Sequence, residues 1–269
     1  MNQGNLPPFV CPVCRGKLMQ AADALHCAAD DLTFGCENGI WRFLPPERAA
    51  ALAQFREEYE TVRRQEKRGS DDPAFYQALP FVADTNWAVR AQSYEVLLAQ
   101  VIRPFAQKLK RPLRILDLGA GNGWLSYRLA TEGHELTAVD LGVNVRDGLG
   151  AHVHYPTQFT CLQAEFDQLP LEDGWADLVI FNASFHYSVN YEATLREALR
   201  VLRYEGKVVV LDTAVYQHAA SGQQMVAERE AAFVNQYGFA SNALPSENFL
   251  TPQRLDEISQ ALRLRWQRL

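Results

Sequence analysis

Apolar runs alternate with amphipathic segments between residues 113 and 213. The runs LRILDLG, ELTAVDLG, FTCLQAEF, ADLVIFNASF and KVVVLDT predict strands, whereas WLSYRLATEG and EATLREALRVLRYEG predict helices that each end at a glycine. The predicted strands are continuously apolar, as expected when helices cover both faces of a parallel sheet. The pattern therefore predicts an α/β fold, with a doubly wound, mostly parallel sheet over residues 112–269.

Helical spacing dominates the segments on either side of that region. Apolar residues at helical spacing predict a surface helix between residues 47 and 68, and TNWAVRAQSYEVLLAQVI predicts a second helix, so that 47–111 form a helical linker. Beyond the last strand, GQQMVAEREAAFVNQYGF and TPQRLDEISQALRLRWQRL predict two more helices. The chain stops near the place of a sixth strand, and we therefore expect a short closing part of the sheet domain.

The first 46 residues form a different kind of segment. Residues 11–44 contain short β-like runs separated by turn residues, and they end at two consecutive prolines that interrupt regular structure. We expect a separate, β-rich module over residues 1–46.

Composition narrows the class of protein without naming a function. The chain has 269 residues, 48% of them hydrophobic and 22% charged, which is ordinary for a globular protein. A formal net charge of −6 disfavours a protein that coats nucleic acid by charge alone. No apolar run approaches the roughly 20 residues that span a bilayer, and the N-terminus lacks a signal pattern. We expect a cytoplasmic protein with no membrane partner.

Three alternating glycines follow the first strand of the sheet domain in the turn DLGAGNG. Gly119, Gly121 and Gly123 weaken any regular element, so they indicate a ligand that lies against bare backbone. A nicotinamide-binding turn would read G-x-G-x-x-G and face a pyrophosphate. Asp117 would repel a pyrophosphate but would attract the ammonium and sulfonium of S-adenosylmethionine. Asp140, which closes the next strand, suits the ribose of either cofactor.

Four motifs in this order resemble the class I S-adenosylmethionine-dependent methyltransferases, which have a Rossmann-like fold. They are DLGAGNG, the acid that ends LTAVDLG, the stretch QAEFDQLPLEDGWADLVIFNASFHY and the turn RVLRYEGKVVVLD, and they extend over roughly residues 100–215. The resemblance implies that Asp117 lies near the methionine amino group, Asp140 at the ribose, and Glu165 at the adenine amino group. It implies a set of cofactor-binding residues: Asp117, Gly119, Ala120, Gly121, Asn122, Gly123, Asp140, Leu141, Glu165, Phe166 and Asn182.

Candidate catalytic residues follow the fourth strand of the sheet domain, in NASFHYS. Methyl transfer is an in-line displacement that needs a base only for a protonated nucleophile. Asn182 and His186 are the candidates, and a histidine with a near-neutral pKa suits a general base. Aromatic residues before the sheet either pack helices together or, as the resemblance implies, belong to a helical lid; they are Tyr76, Trp87 and Tyr94.

Four of the five cysteines lie between residues 11 and 36. In a reducing compartment this clustering favours a metal over disulfides. Cys11, Cys14 and Cys27 have the spacing of an incomplete zinc ribbon. The spacing slightly favours Asp30 as the fourth ligand, whereas Cys36 is the better ligand type; a ribbon without metal is the alternative.

The ribbon-like segment carries a second resemblance. CPVC, LHC and NGIWRFLP occur in the order found in the N-terminal ribbon of many bacterial methyltransferases, including rRNA guanine methyltransferases, and some of those ribbons bind RNA. Few basic residues accompany the motifs here. We expect a methyltransferase that acts on a small metabolite or natural product. The alternatives are an rRNA or tRNA methyltransferase, a non-catalytic partner or assembly protein, and a nicotinamide oxidoreductase.

Overall fold

A computed structural model describes residues 6–241 and 244–269 of the chain. Its centre is a nine-stranded sheet with the order β1-β2-β3-β4-β7-β6-β5-β8-β9. The strands are β1 (Met19–Ala21), β2 (Ala24–Cys27), β3 (Leu32–Glu37), β4 (Ile40–Arg42), β5 (Arg114–Leu118), β6 (Glu135–Asp140), β7 (Thr160–Gln163), β8 (Ala176–Asn182) and β9 (Leu202–Leu211).

Helices cover the sheet and its carboxyl edge. They are α1 (Pro46–Ala51), α2 (Ala53–Gln65), α3 (Pro73–Ala78), α4 (Thr85–Leu97), α5 (Arg103–Leu109), α6 (Trp124–Thr131), α7 (Tyr191–Val201), α8 (Ala219–Tyr237) and α9 (Pro252–Leu262). A π-helical turn, Leu98–Ile102, joins α4 to α5, and short 3₁₀ helices lie at Leu149–His154 and Phe185–Tyr187. None of the helices in the described ranges is long and apolar enough to cross a membrane.

The predicted doubly wound, mostly parallel sheet is confirmed. All pairings among strands β4 to β9 are parallel. Successive residues of β5 belong to different apolar cores. Leu116 shares one core with Leu195 of α7, and Ile115 shares the other with Ile102 of the helical segment before the sheet. Both faces of the strand are buried because helices cover both, which explains why the strand sequences have no polar face.

The N-terminal strands continue the central sheet. β4 pairs in parallel with β7, with Trp41 beside Leu162, and β3 pairs antiparallel with β4. Phe34 and Phe43 share one apolar core with residues of the sheet domain. The module expected as a separate unit is therefore joined to the domain by backbone hydrogen bonds and a common core. Residues 1–5 of its predicted range lie outside the described residues.

Two predicted helices have different limits in the structure. The helix predicted to end at Gly206 stops at Val201, because the buried Leu202 already pairs with Ala176 as the first residue of β9. The surface helix predicted between residues 47 and 68 is divided into α1 and α2 at Leu52. Leu52 is buried, and it lines the cavity described below.

Candidate active site

A cavity of about 720 Å³ lies at the carboxyl ends of β5, β6 and β8. Its volume falls within the roughly 300–1,000 Å³ typical of small-molecule sites. One side is built from the turns that follow the strands, and the other from the helical segment before the sheet. We call these the strand side and the helix side. The strand side contains ten of the eleven predicted cofactor residues: Asp117, Gly119, Ala120, Gly121, Asn122, Asp140, Leu141, Glu165, Phe166 and Asn182.

The glycine turn leaves backbone exposed to the cavity. Gly119 and Gly121 have φ values of +76° and +54°, in the left-handed region that favours glycine. A Cβ on Gly119 would lie 2.3 Å from the Cβ of Ser184, whereas a Cβ on Gly121 would approach only the carbonyl oxygen of Asp147, at 3.7 Å. Gly119 is therefore required for packing, and Gly121 keeps open space beside the turn.

Gly123 is the predicted cofactor residue that does not line the cavity. It precedes the first residue of α6 with φ +77°, and a Cβ there would lie 2.8 Å from the ring of Phe159. The third glycine of the motif thus serves the strand-to-helix turn and its packing. Asn122 supports the same turn, since its side-chain oxygen accepts a hydrogen bond from the Trp124 amide at 3.2 Å.

Asp117 presents a buried carboxylate to the cavity, with 1% of its surface exposed. Ser126 Oγ donates a hydrogen bond to Oδ2 at 2.8 Å, and Oδ1 has no hydrogen-bond partner among the described residues. Burial raises the pKa of Asp117 to about 7; the Ser126 bond lowers it and the nearby Asp140 raises it. A buried carboxylate oxygen without a partner suits a cationic ligand, and this fits the ammonium of S-adenosylmethionine.

Asp140 organises the loops on both sides of the strand ends. Its two oxygens accept backbone hydrogen bonds from Gly121 at 2.8 Å and from Gly142 at 2.7 Å. Burial raises its pKa, and these two amides oppose that shift. Each carboxylate oxygen has a second lone pair, so both can still accept bonds from the hydroxyls of a ribose.

Glu165 has a partner that the sequence did not reveal. Arg48, in α1, binds it with two hydrogen bonds, Nε to Oε2 at 2.9 Å and Nη2 to Oε1 at 2.6 Å. Beside it, Phe166 forms part of the cavity wall and packs edge-on against Phe181, with ring centroids 5.7 Å apart. A cofactor amino group near Glu165 would share its carboxylate with Arg48.

The structure contradicts the prediction that His186 is a near-neutral base at the cavity. Asn182 lines the cavity as the last residue of β8, but His186 does not, and its neighbour Tyr187 does. The His186 ring lies 4.4 Å from the Tyr187 ring. Burial, followed by the charges of Arg229 and Arg63, lowers the pKa of His186 to about 4. Its cationic form is disfavoured both by desolvation and by neighbouring cations.

The helix side carries residues that sequence reasoning missed. Arg56, Tyr59 and Arg63 lie on one face of α2 and line the cavity, together with Trp87 and Arg90 of α4. Basic and aromatic residues at helical spacing in the 47–68 segment were the available signal, but a solvated surface helix has the same pattern. Only the tertiary structure turns this face towards the sheet.

Ion pairs and rings hold the helix side in place. Arg63 Nε lies 3.2 Å from Asp147 Oδ2, and its guanidinium donates a hydrogen bond to the Tyr59 hydroxyl. Of the three predicted lid aromatics, only Trp87 lines the cavity. Tyr76 is fully buried and donates a hydrogen bond to the carbonyl of residue 146 at 2.7 Å, and Tyr94 is buried in the helical core.

A second candidate site lies in the N-terminal module. Ligand atoms of Cys11, Cys14, Cys27 and Asp30 all lie within 4.8 Å of one another. Asp30 Oδ2 is 3.1 Å from the Cys11 sulfur and 3.3 Å from the Cys27 sulfur. Backbone amides of Val13 and Gly16 each donate to a cysteine sulfur at 3.4 Å. Three thiols and a carboxylate at this separation fit a tetrahedral zinc ion.

Cys36 is not part of this group. It lies in β3, paired with Trp41 of β4, where burial raises the pKa of its thiol. Of the two candidates for the fourth ligand, the structure therefore brings Asp30 to the three cysteines and leaves Cys36 in the sheet.

Comparison with known proteins agrees with the fold and the motifs. A protein-family model described as "Methyltransferase domain" matches residues 116–210. A malonyl-[acyl-carrier protein] O-methyltransferase of Geobacter sulfurreducens is 34% identical over 129 residues, which are 46% of this chain and 45% of that protein. An uncharacterized methyltransferase of Schizosaccharomyces pombe is 39% identical over 98 residues, 36% of this chain and 38% of that protein. The chain spans less than half the length of these curated relatives.

Among solved structures, this chain is similar to one from Galdieria sulphuraria described as a "putative sarcosine dimethylglycine methyltransferase". The two chains are 16% identical with a TM-score of 0.48, over 64% of this chain and 60% of the other.

Proposed function

Since the chain carries a class I S-adenosylmethionine-dependent methyltransferase domain, we propose that it transfers a methyl group from S-adenosylmethionine to a small-molecule acceptor. One observation carries this proposal. A single cavity contains Asp117, the exposed glycine turn and Asp140 on its strand side, and it continues to a helix side lined by basic and aromatic residues. The strand side suits the cofactor, and the helix side supplies the wall of an acceptor site. A cavity of about 720 Å³ favours a small acceptor over RNA.

The chain's own residues have distinct tasks in this proposal. Bound S-adenosylmethionine supplies an electrophilic methyl group. The ionised Asp117 binds and orients a cationic group, the glycine turn permits close approach of the ligand to backbone, and Asp140 accepts hydroxyl donors. Asn182 lies at the end of β8, where its amide can orient an acceptor.

Proton transfer has no imidazole available at the cavity wall. Neither a histidine nor a cysteine occurs among the described residues that line the cavity. Methyl transfer needs a base only when the nucleophile is protonated. An acceptor atom without a proton to lose, such as a carboxylate oxygen or an unprotonated amine, would need no base, and for a protonated acceptor the candidate bases at the wall are carboxylates such as Asp147 and Asp167.

Titration with S-adenosylhomocysteine tests the cofactor assignment. We expect Asp117→Asn to weaken binding by about 10- to 100-fold in calorimetry, because a charge-assisted hydrogen bond contributes about 1.5–3 kcal/mol. Asp256→Asn is the matched control, since Asp256 is exposed on α9 and does not line the cavity. Equal affinity of the wild type and Asp117→Asn, or tight binding of NADH, would contradict the assignment.

Transfer of a radiolabelled methyl group separates the remaining alternatives. We expect label from S-adenosylmethionine to enter the small-molecule fraction of a cell extract. Label in the RNA fraction would favour the rRNA or tRNA methyltransferase. Tight cofactor binding without transfer to either fraction would favour the non-catalytic partner.

We also propose that Cys11, Cys14, Cys27 and Asp30 bind one structural zinc ion. The support is their mutual approach within 4.8 Å and the amide hydrogen bonds to the cysteine sulfurs. Elemental analysis of the purified protein should find one zinc per chain. Cys27→Ser should lose it, whereas Cys36→Ser should retain it, because Cys36 lies outside the group. Zinc-free wild-type protein, or equal loss in both variants, would contradict this site.

A further inference from the structure

Two guanidinium groups on the helix side of the cavity have no ionic partner among the residues that the structure describes. Five arginines line the cavity, and three of them pair with acids: Arg48 with Glu165, Arg63 with Asp147 and Arg68 with Glu66. The other two, Arg56 and Arg90, make no side-chain hydrogen bond or ion pair with any residue that the structure describes. Nε of Arg56 is moreover buried without a hydrogen-bond partner among those residues.

Arg90 is held in the wall by aromatic contacts. Its guanidinium lies over the Trp87 ring, 4.8 Å from the centroid. Trp87 in turn packs edge-on against Trp124, with centroids 5.8 Å apart, and Trp124 is the first residue after the glycine turn. A guanidinium that stacks on a ring still has N–H donors free at its edge. The contacts fix the charge near the cofactor turn while leaving its donors available to a ligand.

The Arg90 guanidinium is partly desolvated and lies near other cations. Burial lowers the pKa of Arg90, and Arg63 and Arg68 lower it further, while Asp212 and Asp147 act in the opposite direction. Both of these acids are already engaged, Asp147 with Arg63 and Asp212 with the hydroxyl of Ser93 at 2.6 Å. A partly desolvated cation without a paired anion is unfavourable, and a bound anion would relieve it.

We propose that the acceptor is a small organic acid and that the edge of the Arg90 guanidinium binds its carboxylate, with Arg56 as a second cation on the same side of the cavity. This inference rests on the proposed methyltransferase function. The fork of N–H donors on arginine matches the two oxygens of a carboxylate. The methionine part of the cofactor also carries a carboxylate, so a test must separate these two sources.

The test uses full-length protein saturated with S-adenosylhomocysteine, which fills the cofactor's own carboxylate site. Small mono- and dicarboxylic acids and their neutral carboxamides are titrated in parallel by calorimetry. We expect the acids to bind to the wild type at least about tenfold more tightly than their amides do. In Arg90→Gln, the affinity for the acids should fall by about 10- to 100-fold. Tryptophan fluorescence should change on binding, because Arg90 lies on Trp87.

Arg103→Gln is the matched control, since Arg103 lies on the neighbouring helix α5 outside the cavity. It should leave acid binding within about twofold of the wild type. S-adenosylhomocysteine affinity should also stay within about twofold in Arg90→Gln. If that affinity instead falls as far as acid binding does, Arg90 serves the cofactor, and the inference is overturned. Equal binding of acids and amides to the wild type would overturn it as well. Wild-type protein that does not bind S-adenosylhomocysteine would instead refute the proposed function itself.

Discussion

The two sides of the cavity are built on different principles. On the strand side, the backbone forms much of the cavity wall. Gly119 and Gly121 adopt left-handed conformations, and two backbone amides of neighbouring turns fix Asp140. On the helix side, long side chains such as Arg63 and Arg90 project from helices, at positions more than twenty residues before β5. A site made of backbone tolerates few substitutions, whereas a site made of side chains can change its ligand through single residues. The strand side therefore suits a cofactor that many enzymes share, and the helix side suits an acceptor that is specific to one enzyme.

The largest effect is expected at Gly119. Gly119→Ala should destabilise the protein and abolish measurable S-adenosylhomocysteine binding, because the new Cβ would lie 2.3 Å from that of Ser184. Gly133→Ala is the control: its φ is +89°, but nothing lies within 4 Å of the added Cβ. Left-handed strain alone costs about 1–2 kcal/mol. In urea unfolding, Gly119→Ala should lower the free energy of unfolding by about 1–3 kcal/mol more than Gly133→Ala does. Equal losses would mean that packing at the turn is not critical.

An intermediate effect is expected from the protonation of Asp117. Burial raises its pKa to about 7, above the ordinary value of 3.8, so its protonated form favours folding. That contribution is complete below the ordinary value and is lost as the pH rises through about 7. A cationic cofactor prefers the ionised form, so cofactor binding should release up to one proton near pH 6 and strengthen from pH 5 to pH 7. Calorimetry in buffers of different ionisation enthalpy measures this release.

Asp117→Asn should abolish most of that pH dependence, while Asp256→Asn should retain it. Affinity that is independent of pH in the wild type would show that Asp117 does not contact a charged group of the cofactor.

The smallest effect is expected at Arg48, which reaches from α1 on the helix side to Glu165 on the strand side. The Arg48 side chain is 46% exposed, and exposed ion pairs contribute about 0–1 kcal/mol. Arg48→Met should therefore change the free energy of unfolding by less than about 1 kcal/mol and cofactor affinity by less than about fivefold. Arg196→Met, which removes the long surface pair with Glu192, is the control. A much larger loss of affinity would place Arg48 itself in contact with the cofactor.

Local sequence patterns predicted the sheet and most of the strand side. A continuously apolar strand and the glycines of DLGAGNG are local signals. Burial on both faces of a strand shows as a run of adjacent apolar residues, and a turn with positive φ shows as glycine at that position. The sequence alone does not decide the fourth ligand of the cysteine group, because spacing slightly favours Asp30 and ligand type favours Cys36. The structure separates them by pairing Cys36 with Trp41 in the sheet.

The remaining features depend on contacts between distant segments. The position of His186 after the fourth strand and the ordinary pKa of histidine predict a base, but burial and the charges of Arg229 and Arg63, which lie far away in sequence, lower its pKa. The pairing of Arg48 with Glu165 joins residues 117 positions apart. The joining of β4 to β7 likewise has no local signal, since a short apolar strand fits a small module equally well.

Native mass spectrometry of the protein as purified, before any dialysis, tests the central claim most directly. We expect a mass increase that corresponds to S-adenosylmethionine or S-adenosylhomocysteine, together with one zinc ion. Loss of the nucleoside ligand in Asp117→Asn, with zinc retained, would locate it on the strand side. Protein that carries NAD, or that takes up no S-adenosylmethionine when it is added, would contradict the account.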